Sequence, residues 1–192
     1  YGLLALLTMM EAVLTIFLGM GLFSAIVKVY HDDASPRQQA ETVSTAVWSI
    51  LLASILIGGA AFVGSDKLAR LVLGAGQGGP LVRVMVVATC LGALRHASLA
   101  AMRAQGRSGT YVAVGVAYAA LLLGLNVVLV GWMGLGLWGV VHSNLYASAA
   151  TALLVLVGLV RSVGIRFSWD LLSRLLRFGL PLGPGVLACW AM

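Results

Sequence analysis

Long apolar runs alternate with short polar segments along the whole chain. Five runs are nearly complete, at about 3–27, 42–63, 80–102, 110–130 and 139–160, and a sixth begins near Phe178. Each complete run has about 20 residues, enough for a helix to cross a hydrocarbon core of about 30 Å. Strands of a membrane barrel would be about half as long and would alternate apolar with polar positions. The pattern therefore predicts an all-α integral membrane protein with five full transmembrane helices plus the start of a sixth.

The composition supports this prediction. Of 192 residues, 61% are hydrophobic and 9% are charged, against about 45–50% and about 25% in soluble domains. The net charge of +6 would suggest a nucleic-acid partner in a soluble protein. Here the basic residues lie mostly between apolar runs, so we interpret them as topology signals and phosphate contacts and expect no nucleic-acid partner. Cys90 and Cys189 lie within apolar stretches, which favours buried thiols over a disulfide or a metal site.

The basic residues also predict an orientation. The loops after the first, third and fifth runs contain Lys28, Arg37, Arg103, Arg107, Arg161, Arg166, Arg174 and Arg177. The loop after the second run contains only Lys67 and Arg70, and the loop after the fourth run contains no basic residue. Because cytoplasmic loops carry the excess of Lys and Arg, we place the first group of loops in the cytoplasm.

Two of these loops predict surface helices, over about 66–73 and 169–178. In the second, Asp170, Ser173, Arg174 and Arg177 fall on one face, and leucines cover the other. This pattern is typical of an amphipathic helix at the membrane interface, with basic residues near anionic headgroups. A solvated connector without a role in lipid binding is the alternative.

The run over 80–107 carries unusual charges for a membrane span, namely Arg95, His96 and Arg103. An arginine near the middle of a span costs roughly 2.5–3.5 kcal/mol, so it usually faces a cavity or a partner. Arg95 and Arg103 lie about 12 Å apart along the helix and about 80° apart around it. Because guanidinium groups fork onto phosphate oxygens, we predict that both face a cavity for an anionic phosphate or pyrophosphate headgroup. Alternatively, Arg95 pairs within the fold and Arg103 is a topology anchor.

Other polar residues within the spans complete the candidate site. Glu11 lies near the middle of the first span, where a carboxyl group is costly unless it is paired, protonated or hydrated. We therefore consider Glu11 and His96 for ion coupling, with hydrogen bonding to a neighbouring helix as the alternative for Glu11. Tyr111 and Tyr118 form a stripe with Gly115 on the fourth span, suited to sugar contacts or to tight helix packing. The polar cluster around Asn144 on the fifth span is adequately explained by water or helix–helix hydrogen bonds.

Enzyme motifs are largely absent from the sequence. It contains no Gly-rich phosphate loop, no paired cysteines at zinc spacing and no His-Glu-x-x-His. Asp32 and Asp33 beside His31 could hold a metal, but adjacent acids in a loop are more often a solvated turn. We therefore predict a non-enzyme with no catalytic residue, no cofactor and no metal.

Several stretches resemble one family of transporters. They are YGLLALLT, SAIVKVYHDD, LAAMRAQGRSGTYV, GLGLWGVVHSN and LLSRLLRFGLPLGPG. Their order and spacing are similar to those of the polysaccharide (O-antigen type) flippases of the multidrug/oligosaccharidyl-lipid/polysaccharide exporter superfamily. The likeness covers essentially the whole chain, although each stretch alone is weakly specific.

This resemblance implies a transporter of 12–14 helices in two lobes around a central cavity. Residues 1–160 would form helices 2–6 of the first lobe, 161–177 a cytoplasmic amphipathic linker, and 178–192 the start of helix 7. We accordingly expect an internal fragment of a longer protein, since Tyr1 leads directly into an apolar run. The implied activity is alternating-access flipping of an undecaprenyl-pyrophosphate-linked oligosaccharide to the outer leaflet, driven by a proton or sodium gradient.

The resemblance further implies a multi-pass protein of the bacterial inner membrane. Its partners would be the lipid-linked glycan, the bilayer and other polysaccharide assembly proteins. Arg95 and Arg103 fit the family's basic cavity residues, which hold pyrophosphate. A drug–cation antiporter of the same superfamily is the nearest alternative, although it would favour an acidic cavity. A membrane-embedded glycosyl polymerase or ligase is less favoured, because the outer loops are short and carry few ionisable groups.

Overall fold

The protein is described by a computed structural model as a bundle of helices. The described residues are 2–19, 21–33, 35–74, 78–163, 167–179 and 181. The helices are α1 (Gly2–Gly19), α2 (Leu22–Asp32), α3 (Pro36–Ala53), α4 (Gly59–Val63), α5 (Ser65–Leu73), α6 (Gly79–Ala104), α7 (Ser108–Asn126), α8 (Gly136–Val163) and α9 (Trp169–Gly179). Within these ranges no strand occurs, and five helical stretches are long and apolar enough to span a membrane. The predicted all-helical membrane fold with five spans is therefore confirmed.

Not every sequence prediction falls on described residues. Arg166, Cys189 and the predicted start of a sixth span beyond Gly179 lie outside them. The division into 1–160, 161–177 and 178–192 stays a prediction.

The first span differs from the predicted single run that ends at Val27. It continues to Asp32 and is divided between α1 and α2, with Gly21 in the left-handed region at a φ of 70°. That conformation costs residues other than glycine about 1–2 kcal/mol. A Cβ atom on Gly21 would also overlap the carbonyl oxygen of Gly179 in α9. Gly21 thus permits both the break and the close approach of α9.

The second span is one helical stretch with a wider turn inside it. Ser35 caps α3 by accepting a hydrogen bond from the Gln38 amide at 3.3 Å, and Pro36 occupies the first turn, where it displaces no intrahelical bond. A π-helical turn over Ser54–Gly58 then joins α3 to α4. There the thiol of Cys90 in α6 lies 3.7 Å from the Ser54 carbonyl oxygen, in reach of a weak hydrogen bond. The turn therefore lies against α6.

Helix α6 is the centre of the bundle. It packs against α1, α2, α3 and α8. Of its most apolar 18-residue segment, 67% is buried, whereas the corresponding share is 6% for the fourth span, which contains α7. Its hydroxyl groups are satisfied within the helix, since Thr89 and Ser98 donate to the carbonyls of Met85 and Leu94. Arg95, near the middle of α6, is consequently enclosed by neighbouring helices.

Helix α5 begins at Ser65, close to the predicted start at Asp66. Arg83 of α6 reaches it, donating to the Ser65 hydroxyl at 2.9 Å and to the Asp66 carboxylate at 3.0 Å. Gly79 allows this approach, because a Cβ atom there would overlap the Asp66 carboxylate. These contacts attach α5 to the start of α6.

Helix α9 occurs where the amphipathic pattern predicts a helix, but its leucines meet protein. Leu171 and Leu175 are buried, and Leu175 belongs to a core cluster shared with α2, α3 and α6. On its polar face, Arg174 donates a hydrogen bond to the buried Asp33 carboxylate at 3.4 Å. Asp33 also accepts a hydrogen bond from Thr42. The leucine side of α9 therefore packs on the bundle, and the position of its basic residues near lipid headgroups stays a prediction.

We predict that Gly21→Ala destabilises the protein by at least about 1–2 kcal/mol, because of its backbone conformation and its contact with Gly179. The thermal unfolding midpoint of the full-length protein in detergent measures this loss. Gly124→Ala is the matched control, because a Cβ atom there meets open space within a helix. Equal midpoints for the two variants would contradict the described contact.

Candidate functional site

Arg95 is the buried cation at the centre of the candidate site. It lies nine residues before the end of α6, about 14 Å into the span at a rise of about 1.5 Å per residue. The residue is only 8% exposed. Among the described residues no carboxylate lies within ion-pair distance of its guanidinium group, and its Nε atom has no hydrogen-bond partner. Arg95 thus retains an unused donor in an apolar setting.

The main contact of Arg95 is the ring face of Tyr118 on α7. The guanidinium carbon lies 3.8 Å from the ring centroid, a cation–π geometry that offsets part of the cost of burying the charge. The Tyr118 hydroxyl in turn donates to the Asn144 side-chain oxygen at 3.0 Å. This bond fixes the orientation of the ring beneath the arginine.

Asn144 on α8 connects this stack to the first span. Its amide nitrogen donates to the Glu11 carboxylate at 3.1 Å, and its amide oxygen also accepts from Ser148 at 3.3 Å. A continuous polar chain therefore runs from Glu11 through Asn144 and Tyr118 to Arg95. We call it the polar chain below. It joins α1, α8, α7 and α6.

His96 continues the polar chain by one residue. Its Nε2 atom lies 3.2 Å from an Arg95 guanidinium nitrogen, and its ring centroid lies 5.9 Å from that of Phe23. His96 is exposed, whereas Arg95 is buried. The two polar groups therefore meet where the buried arginine approaches the exposed histidine.

Arg103 repeats the arrangement nearer the end of α6. Its guanidinium carbon lies 5.5 Å from the ring centroid of Tyr111, and the side chain is exposed. Because α6 and α7 run in opposite directions, the second arginine lies about two turns later on α6 and the second tyrosine about two turns earlier on α7. We call Arg95–Tyr118 and Arg103–Tyr111 the two arginine–tyrosine pairs.

The structure places all six predicted site residues in two neighbouring groups. Glu11, Arg95, His96 and Tyr118 belong to or adjoin the polar chain, and Arg103 with Tyr111 forms the outer pair. Tight packing around Gly115 does not explain the stripe, since a Cβ atom there meets open space. The tyrosine faces are occupied by guanidinium groups, so their contact with sugars stays a prediction.

Sequence reasoning left Asn144 and Ser148 out of the site. Both are polar residues within an apolar run and lie four positions apart, which places them on one face of a helix. That spacing is the signal that could have included them. Their three-dimensional partner, Glu11, lies 133 positions from Asn144 and could not be identified by spacing.

The site is suited to binding an anion. Within the described ranges, no three His, Cys, Asp or Glu side chains converge on one point. Asp33, one of the acids considered for a metal, is buried in contact with Thr42 and Arg174 instead. The groups that remain for binding are guanidinium donors, which favour phosphate or carboxylate oxygens.

A comparison with solved structures identifies the class of fold. The chain is similar to a structure titled as the outward-facing conformation of a multidrug resistance MATE family transporter of the MOP superfamily, with a TM-score of 0.68 and 20% identity. The match covers 92% of this chain and 42% of that transporter, so the chain spans less than half of its length. The bundle is thus a multi-pass membrane unit with a MATE-like fold.

A comparison with family profiles then identifies the family. The profile described as polysaccharide biosynthesis protein matches residues 1–189. No curated protein sequence matches the chain. The chain belongs to the polysaccharide biosynthesis protein family, and the predicted family resemblance is confirmed.

We predict that Asn144→Ala lowers stability by about 1–2 kcal/mol, because it leaves Glu11 and the Tyr118 hydroxyl without their shared partner inside the bundle. The thermal unfolding midpoint in detergent is the measurement. Asn126→Ala is the control, because the Asn126 amide donates only to the Leu122 carbonyl of its own helix. A control that loses as much stability would show that the polar chain contributes nothing specific.

Proposed function

We propose that the full-length protein is a transporter that flips a polyprenyl-pyrophosphate-linked oligosaccharide from the inner to the outer leaflet of the bacterial cytoplasmic membrane. In this proposal the substrate is an undecaprenyl-pyrophosphate-linked glycan, and the protein acts without catalysis. Membership of the polysaccharide biosynthesis family supports a role in glycan export. The observation that carries the proposal is the buried Arg95 guanidinium group, which lacks a carboxylate partner among the described residues.

The two arginine–tyrosine pairs suit a pyrophosphate headgroup. Arg103 is exposed near the end of α6 and would meet the phosphates first, whereas Arg95 lies deeper. Both guanidinium groups can donate two parallel hydrogen bonds to phosphate oxygens, which are stronger than neutral hydrogen bonds. The tyrosine rings then hold the arginines in position before the substrate arrives.

Access to Arg95 requires movement of α7. Tyr118 covers the guanidinium group in the observed arrangement, and Arg95 is only 8% exposed. Val114 is the only buried residue of α7, and its other side chains are half-buried or exposed. In our proposal, displacement of α7 separates Tyr118 from Arg95, and the phosphates of the substrate replace the ring. In an alternating-access cycle, this replacement of the Tyr118 ring by phosphate would occur when the cavity is open to one side of the membrane.

Glu11 and His96 are the groups we propose for ion coupling. Glu11 accepts the Asn144 hydrogen bond at 3.1 Å, and Asn144 holds the ring that covers Arg95. Protonation of Glu11 would remove its negative charge and weaken it as an acceptor, which would loosen the polar chain. A proton gradient could in this way change the position of α7, although sodium remains the second candidate ion.

Drug–cation antiport is the second candidate function, favoured by two observations. The solved structure with the similar fold is titled a multidrug resistance transporter, and Glu11 provides a carboxylate within the span. The two functions differ in their effects: loss of a drug antiporter raises drug susceptibility and leaves the glycan unchanged, whereas loss of a flippase depletes the surface glycan.

We predict that Arg95→Ala lowers glycan export at least about tenfold, because hydrogen bonds to charged groups contribute about 1.5–3 kcal/mol each. Membrane insertion should be retained, since the substitution removes a costly intramembrane charge. Surface glycan and cytoplasmic lipid-linked precursor, both normalised to protein abundance, are the measurements.

Arg107→Ala is the control for this experiment, because Arg107 is exposed beyond the end of α6 and should act only as a topology anchor. Arg95→Lys should recover part of the activity by keeping the charge without the planar fork. Normal export at normal abundance in Arg95→Ala would overturn the assignment of Arg95 to the substrate site.

A further inference from the structure

A second group of basic residues lies outside the polar chain, at the end of the bundle where α2 meets α9. A cavity of about 320 Å³ opens there, lined by Lys28, Val29, Asp32, Arg174, Arg177 and Phe178. Its volume is within the range of about 300–1,000 Å³ typical of small-molecule sites. Three of the six lining side chains are cations and one is a carboxylate, so the cavity carries net positive charge.

The cations of this cavity differ in whether they are already paired with a carboxylate. Arg174 is paired with the buried Asp33 at 3.4 Å. Lys28 contacts no carboxylate within ion-pair distance among the described residues, and its Nζ atom lies 4.2 Å from the Phe178 ring centroid. Arg177 is exposed and has no hydrogen-bond or ion-pair partner in the described part of the chain. Lys28 and Arg177 are thus available to an anion.

Neighbouring residues indicate the level of the membrane at which the cavity lies. Trp169 at the start of α9 is 73% exposed, and its ring packs edge-on against Phe167 with centroids 5.1 Å apart. Exposed tryptophans in membrane proteins concentrate at the headgroup level. The cavity also lies beside the end of the first span at Asp32. Its basic groups are therefore near lipid headgroups.

We propose that the cavity between α2 and α9 is a binding site for a phosphate-bearing anion, the headgroup of an anionic phospholipid in the cytoplasmic leaflet. Arg177 and Lys28 bind the phosphate, and Phe178 with Val29 provides the apolar floor. Because α9 packs on α2 and α3 at this point, an anion bound here stabilises the attachment of α9 to the bundle. The site is separate from the proposed transport site and does not depend on which substrate is carried.

The test uses the full-length protein in lipid nanodiscs. Discs of phosphatidylcholine alone are compared with discs that contain increasing fractions of phosphatidylglycerol, and the thermal unfolding midpoint is recorded. Because a ligand that binds only the folded state raises the midpoint, phosphatidylglycerol should stabilise the wild-type protein. In Arg177→Gln the fraction of phosphatidylglycerol that gives half of this stabilisation should rise about fivefold. This is the effect expected for one basic residue at an anionic membrane surface.

Arg107→Gln is the matched control, since Arg107 is an exposed arginine of another loop that the orientation rule places on the same membrane face. It removes the same charge but lies outside the cavity lining. An unchanged phosphatidylglycerol response in Arg177→Gln, or an equal change in Arg107→Gln, overturns the proposal. If Arg177→Gln fails to fold, Lys28→Gln should show the same loss, and Lys28→Arg should retain the response.

A second arm separates the two sources of phosphate. Wild-type and Arg177→Gln proteins in phosphatidylcholine discs are titrated with inorganic phosphate. Stabilisation by phosphate that depends on Arg177, without a response to phosphatidylglycerol, supports the anion site and assigns it to a soluble ligand. Absence of stabilisation by either lipid or phosphate overturns the site. Since the readout is stability, failure here leaves the proposed transport function untouched.

Discussion

A charge inside an apolar bundle must be compensated locally, because water is not available to solvate it. Arg95 on the central helix α6 meets this requirement through the face of Tyr118 and the nitrogen of His96. Tyr118 is in turn held by Asn144, which also binds Glu11. One buried cation thereby fixes the relation of α6 to α7, α8 and α1. Stability and the candidate substrate site rest on the same contacts.

This compensation is incomplete in a way that suits the proposed transport. The Nε atom of Arg95 has no partner in the described residues, and the ring that covers the guanidinium group belongs to α7, which has one buried residue. An ion pair with a carboxylate would have been harder to open, because removing one partner leaves an uncompensated charge. A cation–π contact can be exchanged for phosphate oxygens at lower cost. In our proposal the Arg95–Tyr118 contact is a reversible cover on the proposed anion site.

The spans were predictable because membrane thickness fixes the length of an apolar helix. The arginines of α6 stood out for the same reason, since a charge in a span is costly wherever its partner lies. The identity of that partner was not predictable, because Tyr118 and Asn144 reach the site from separate helices. The break at Gly21 was missed, because an isolated glycine in an apolar run does not reveal that it adopts a left-handed conformation against the distant backbone of Gly179. The leucine face of α9 could have suited lipid or protein, and only the packing decided between them.

The central claim is that the full-length protein moves a lipid-linked glycan between leaflets. The most direct measurement is the leaflet distribution of lipid-linked glycans in a host strain that lacks the intact gene, determined with a membrane-impermeant glycan-modifying reagent. We predict complete glycan confined to the cytoplasmic leaflet, with normal distribution restored by the wild-type gene. A glycan pool of unchanged size, with the same distribution between the two leaflets as in the parent strain, would contradict this claim.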